Sequence, residues 1–85
     1  MKDLSDGALR ILRHFKENSY DQQVYEYPTK LEALFDGPET CEQAQAELAI
    51  LGLIDLGPER HYADPSGVRA AALTREGARY IKHLP

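Results

Sequence analysis

The side chains that could do chemistry are few: one thiol, Cys41, and the imidazoles of His14, His61 and His83 in 85 residues. A thiol near the start of a helix has a lowered pKa, which is the environment of a redox sensor. Cys41 also falls on the apolar side of its predicted helix, where a cysteine acts as a small hydrophobic residue, and we favour this second interpretation. The histidines are far apart in sequence and share no helical face, so we expect no metal and no cofactor.

Catalytic patterns are equally scarce. The sequence contains no recognisable spacing of nucleophile, base and orienting acid, and no glycine-rich phosphate loop. We therefore expect a protein that is not an enzyme, which leaves binding as the class of function to consider.

The composition indicates which classes of partner the chain can bind and in which compartment. Ten Lys and Arg side chains stand against fourteen Asp and Glu, for a formal net charge of -4, so the chain is not the basic body expected of a protein held to nucleic acid chiefly by charge. Its single cysteine suits the reducing cytoplasm. No apolar run approaches the length of about 18 residues that a membrane helix needs. The length predicts a single domain over residues 1–85.

Hydrophobic spacing predicts two helices and a short arm in the first half of the chain. Apolar residues at three- and four-residue steps indicate an amphipathic helix from about Leu4 to Asn18, with Ser5 or Asp6 as its N-cap. Residues 24–27 alternate enough for a short extended arm. Thr29 and Glu32 fit a capping box for a second, short helix.

The second half is predicted to hold a helix, a hairpin and a last helix. The third helix starts at Pro38 and ends at Gly52, with Cys41, Ala44, Leu48 and Leu51 on its buried side. Residues 53–56 and 68–73 are the strands of a hairpin whose tip is the polar loop 59–67. Thr74 caps the last helix.

Two short segments resemble the winged helix-turn-helix family, in particular its MarR-like and PadR-like branches. Ala46–Ile54 (AELAILGLI) is similar to the family's passage from the third helix into the first wing strand. Ala72–Ile81 (ALTREGARYI) is similar to the Leu-Thr-x-x-Gly run that opens its last helix. The order of elements agrees with this resemblance, which implies an α+β, mainly α fold: a three-helix core, a two- or three-stranded wing sheet and a C-terminal helix.

The resemblance implies a DNA-binding transcriptional regulator, acting as a homodimer on double-stranded DNA. In that family the third helix enters the major groove and the hairpin tip reaches the backbone or minor groove. Glutamine and threonine side chains can read bases, and basic wing residues can contact phosphate; as the alternative, the wing charges simply solubilise an exposed hairpin. The residues expected to contact DNA are Thr40, Gln43, Gln45, Arg60, His61 and Arg69.

The charge of the third helix points to a different function. Residues 37–57 hold four acidic and no basic side chains, and Glu39, Glu42 and Glu47 are expected on the outward face. Carboxylates against a phosphate backbone are repelled. The alternative is therefore a winged helix that binds a protein instead of DNA, through the acidic helix and the tyrosines at 20, 25 and 27. These tyrosines could instead cover the core, and we favour this interpretation for at least one of them.

Overall fold

The computed structural model describes residues 4–18, 24–57 and 68–84. Within these ranges the chain forms four helices and two strands: α1 (Asp6–Glu17), α2 (Pro28–Glu32), α3 (Pro38–Ile50), β1 (Ile54–Leu56), β2 (Ala71–Leu73) and α4 (Arg75–Ile81). The predicted α+β, mainly helical class is confirmed. No helix among the described residues is long and apolar enough to cross a membrane.

Helix α1 begins at a serine cap. The Ser5 hydroxyl accepts a hydrogen bond from the Ala8 N–H at 3.2 Å, so Ser5 and not Asp6 is the N-cap. The apolar stripe predicted from the spacing is fully buried at Ile11, Leu12 and Phe15. This stripe packs α1 against α3, which makes these two helices the centre of the core.

Helix α2 begins differently from the prediction. Its N-cap is Tyr27, with Pro28 in the first turn and no side-chain cap. Proline suits this position because its φ is already helical and it has no N–H to leave unpaired. The predicted capping box of Thr29 and Glu32 is wrong, because the proline starts the helix before Thr29 can cap it.

Helix α3 ends in a tight reversal. Gly52 has a φ of 76°, its N–H donates to the Ala49 carbonyl, and the Leu53 N–H donates to the Leu48 carbonyl at 2.9 Å. This pair of bonds is a Schellman motif, which needs a left-handed residue at the position of Gly52. The predicted role of Gly52 is confirmed. Leu51, predicted to be buried, is exposed because it lies at the C-cap, past the packed face.

The two strands pair antiparallel, with Ile54 opposite Leu73 and Leu56 opposite Ala71. A third segment joins this sheet at one residue: Glu26 exchanges backbone hydrogen bonds with Ala71, at 2.8 and 3.3 Å. The arm predicted at 24–27 is therefore held against β2.

Helix α4 is tied to the end of α3. The Thr74 hydroxyl accepts from the Gly77 N–H at 3.0 Å and donates to the Gly52 carbonyl at 2.6 Å. A Cβ atom at Gly77 would lie 1.9 Å from the Leu53 carbonyl oxygen. The Thr and Gly of the Leu-Thr-x-x-Gly run thus have structural roles: one caps the helix, and the other lets the helix approach a backbone carbonyl.

Candidate functional site

The outward face of α3 is polar and acidic. Thr40 and Gln43 are exposed, as predicted, and Glu39 and Ala46 are exposed beside them. No lysine or arginine occurs in α3. The helix thus presents hydrogen-bonding groups and carboxylates, but nothing that neutralises a phosphate.

Gln45 does not belong to this face. It is only 2% exposed; its amide Nε2 donates to the Arg69 carbonyl at 2.6 Å, and its Oε1 accepts from the Arg69 N–H at 3.1 Å. The prediction that Gln45 faces outward is wrong, because both polar atoms of its amide satisfy the backbone that enters β2. Its role is to join α3 to the sheet.

Arg69 is turned toward the protein. It is half-buried, and its guanidinium donates to the Gly57 carbonyl, while its Nε is buried without a hydrogen-bond partner. This geometry ties the two sides of the hairpin together and takes the side chain away from the outward position expected of a DNA contact. Arg60 and His61, the other predicted wing contacts, lie outside the described residues, as does Tyr20.

One carboxylate counted on the α3 face is an internal tether. Glu47 accepts from the Ser5 N–H at 3.0 Å and from the Ser5 hydroxyl at 2.5 Å. A carboxylate at the start of α1 also suits the positive end of that helix dipole. Glu47 therefore stabilises the α1–α3 contact, which leaves Glu39 and Glu42 as the acids of the face.

Two basic side chains of α1 form contacts with other parts of the chain. Arg10 donates to the Leu34 carbonyl at 3.0 Å and lies over the Phe35 ring, 5.6 Å from its centroid. Lys16 donates to the Leu84 carbonyl. Both side chains therefore stay at the surface while each donates to a backbone carbonyl of another segment.

A surface of large side chains lies on the segment before α2. Val24, Tyr25 and Tyr27 are exposed, Tyr27 by 69%, and we call these three residues the aromatic strip. Glu26, the residue between the two tyrosines, is buried, with only 2% of its surface exposed. The alternation of the segment thus turns Glu26 inward and the two tyrosines outward, and Val24, at the start of the segment, is exposed as well.

Glu26 is anchored on several sides. Its Oε2 lies 2.6 Å from His14 Nε2, and its Oε1 accepts from the Tyr27 N–H at 2.9 Å. Asn18 in turn holds the imidazole, with its Nδ2 3.3 Å from His14 Nδ1. A buried carboxylate is costly unless it is paired and hydrogen-bonded, and these bonds meet that condition. They fix the aromatic strip to α1 and, through the Ala71 bridge, to β2.

Sequence reasoning missed this anchor. Glu26 and His14 are twelve residues apart and belong to different elements, so no local spacing relates them. The sequence does show that Glu26 occupies an inward position of an alternating segment. Since buried polar groups are hydrogen-bonded, such an acid must have a partner elsewhere in the chain.

Cys41 is an unreactive core residue. It is fully buried, and burial above all, with Glu32 and Glu42 adding to it, raises the pKa of the thiol from 9.0 to about 12. The thiol therefore stays protonated near neutral pH, and reactive cysteines need the thiolate. The interpretation of Cys41 as a core residue is confirmed, and a buried thiol with a raised pKa gives the redox-sensor hypothesis no support.

An open apolar groove of about 360 Å³ lies where the start of α1, the end of α3 and α4 meet. The side chains that line it are Leu4, Leu51, Leu53 and Tyr80, with the charged or polar Glu76, Arg79 and His83. Ile50, the residue before Leu51, is 84% exposed. We call this cavity the apolar groove; Ile50 lies next to it in sequence and does not line it.

Among the described residues, no group of three or more His, Cys, Asp or Glu side chains is placed to hold a metal ion. Comparison of the chain with protein-family models, with curated proteins and with solved structures finds no significant match.

Proposed function

We propose that this chain is a winged-helix protein-interaction module that binds a partner protein through the aromatic strip. The observation that carries the proposal is the anchoring of Glu26, which holds Val24, Tyr25 and Tyr27 in the solvent on a fixed backbone. Tyrosine buries a large area at low cost in side-chain entropy and keeps one polar end, and it is enriched among residues that dominate binding energy.

The order of elements supports the winged-helix part of the proposal. Three helices precede an antiparallel hairpin, the segment between α1 and α2 bridges β2 as a third strand would, and a helix follows. The Schellman motif at Gly52 and the Thr74 cap lie in the two segments that resemble the family.

The surface of α3 favours a protein partner over DNA. Its exposed face carries Glu39 and Thr40 and no lysine or arginine. The Arg69 guanidinium, predicted to contact DNA, donates to the Gly57 carbonyl instead. Phosphate neutralisation by basic side chains supplies most non-specific DNA affinity.

The partner is expected to meet side chains more than backbone. An extended segment at a sheet edge can recruit a new strand through its free N–H and C=O groups. Here the Tyr27 N–H donates to the Glu26 carboxylate, and the Tyr27 carbonyl accepts from the N–H groups of Lys30 and Leu31 in α2. Because the backbone groups of Tyr27 are occupied, the phenol rings and Val24 are expected to make most of the contact.

A photo-crosslinking amino acid placed at position 25 or 27, and at the exposed Lys30 as the control, tests the proposal in cells. We expect one protein to be captured from positions 25 and 27 and not from position 30. With that protein purified, Tyr25→Ala and Tyr27→Ala should each weaken binding about tenfold, whereas Lys30→Ala leaves it unchanged. Affinity that is insensitive to both tyrosine substitutions refutes the proposal.

A DNA-binding regulator is the second candidate. The Glu47 tether favours it, because it removes one carboxylate from the face on which Thr40 and Gln43 are exposed. Fluorescence anisotropy with mixed-sequence duplex DNA at low salt is the test, repeated with Arg60→Ala. Affinity that falls steeply with salt supports this candidate, and no binding at low salt excludes it.

A further inference from the structure

A second groove lies along the outward side of α1, beside the aromatic strip. It has a volume of about 360 Å³, and its apolar walls are Leu9 and Leu34, which are both half-buried. His14 joins this groove to the aromatic strip, because its imidazole lines the groove while its Nε2 lies 2.6 Å from the Glu26 carboxylate. A protein that covers the strip therefore has this cavity beside it, and we call the cavity the α1 groove.

Two arginines lie in the middle of the α1 groove. Arg10 and Arg13 are three residues apart on one face of α1, a spacing that brings Cβ atoms within about 5–6 Å and makes like charges repel. Arg10 donates one hydrogen bond to the Leu34 carbonyl at 3.0 Å and keeps N–H groups for another acceptor. Arg13 is exposed and makes no hydrogen bond or ion pair with any described residue. An anion placed between the two guanidinium groups can bind both and relieve their repulsion.

The acidic side chains of the α1 groove lie at its ends. Asp6 is in the first turn of α1 and Glu17 is its last residue, so they are about 16 Å apart along the helix axis, with the arginines between them. Each acid is four residues from an arginine, a spacing that suits an ion pair, yet among the described residues neither pair forms one. The centre of the groove therefore attracts a negative group, and its two ends repel negative charge.

We infer that the α1 groove binds an acidic side chain, flanked by apolar residues, of the protein that covers the aromatic strip. The inference rests on the proposed function and adds the chemistry of the partner. A guanidinium group binds a carboxylate through two parallel N–H donors, and Leu9 and Leu34 can contact the apolar neighbours of that acid. A nucleic-acid strand fits less well, because its phosphates repeat along the backbone and meet Asp6 and Glu17 at the ends of the groove.

Photo-crosslinking tests where the acidic segment lies. The crosslinking amino acid is placed at Leu9 in the wall of the groove, in addition to positions 25 and 27, with the exposed Arg75 of α4 as the control position. We expect Leu9 and the two tyrosine positions to capture the same protein, and position 75 not to capture it. Mass spectrometry should place the crosslink from Leu9 next to an aspartate or glutamate of the partner.

Binding of the purified partner tests the charge. Arg13→Glu should weaken binding at least about tenfold, and replacing the partner's acid by lysine should restore the affinity of this variant. Arg75→Glu is the matched control, the same change of charge on α4, and should leave binding unchanged. Arg13→Lys keeps the charge and should weaken binding less than Arg13→Glu does. Thermal unfolding of each variant checks that the domain remains folded.

The results separate this inference from the proposed function. A partner that needs Tyr25 and Tyr27 but binds Arg13→Glu as tightly as Arg75→Glu overturns the inference and leaves the proposed function standing. A protein that tolerates both tyrosine substitutions but loses affinity in Arg13→Glu supports the acidic contact and refutes the proposed function. Capture of no protein at these positions overturns both, and a loss of affinity for duplex DNA in Arg13→Glu would then assign the arginines to phosphate.

Discussion

Replacing Gln45 by alanine should destabilise the domain by about 3 kcal/mol. The substitution removes two hydrogen bonds, of 2.6 and 3.1 Å, to the backbone of Arg69. An N–H or C=O group left buried without a partner costs about 1–3 kcal/mol, and each bond itself contributes about 0.5–1.5 kcal/mol. In a domain of this size, whose total stability is about 4–13 kcal/mol, the melting temperature should fall by about 15 °C.

Urea denaturation followed by circular dichroism measures this loss, and Gln43→Ala is the matched control. It makes the same chemical change two residues away, on the exposed face of α3, and should change stability by less than about 0.5 kcal/mol. If the two variants unfold at the same urea concentration, the bidentate link between α3 and β2 does not carry the energy assigned to it.

Three further predictions concern the core. Gly77→Ala should destabilise by at least about 2 kcal/mol despite the better helix propensity of alanine, because the new Cβ meets a backbone carbonyl at 1.9 Å. His14→Ala should cost about 3 kcal/mol, because the buried Glu26 carboxylate loses its imidazole partner. Cys41 should react with a disulfide reagent only after unfolding. Since burial raises its pKa from 9.0 to about 12, the unfolded chain releases the thiol proton first, and this residue lowers stability as pH rises between those values.

Each of these predictions has a control variant. A Cβ atom added at Gly37 would meet no neighbouring atom within 4 Å, so Gly37→Ala should cost much less than Gly77→Ala. His83 is exposed, and His83→Ala should be nearly neutral where His14→Ala is not. The alkaline loss of stability should be smaller in Cys41→Ala; an identical pH dependence would contradict the assignment to the thiol.

Local signals predicted the ends of the helices better than they predicted which polar residues are buried. Ser5, Gly52 and Thr74 act within a few residues of their own position, and the structure confirms all three. Gln45 was predicted as an outward DNA contact, although it lies four residues after Cys41 and three before Leu48 and so shares the spacing of the buried face. Its partner is 24 residues away, beyond the reach of any periodicity.

Of the two candidate surfaces, the aromatic strip and the apolar groove, the sequence predicted one and not the other. Tyrosines at 25 and 27 were predicted as a partner surface from their composition alone, and the structure adds the buried acid that separates them. The apolar groove had no counterpart in the sequence, because Leu4, Leu51 and Tyr80 come from three elements. Each of them looks like an ordinary core position when its own segment is considered alone.

The junction between α3 and α4 has a kinetic consequence. The Thr74 hydroxyl and N–H hold the Gly52 and Leu53 carbonyls, and Gly77 lets α4 rest against the second of these. Two walls of the apolar groove therefore stand at a fixed separation before anything enters it. A ligand in excess that enters the groove meets these two walls without a slow rearrangement of the backbone, so its observed binding rate should rise linearly with ligand concentration, without the plateau that a preceding conformational step imposes.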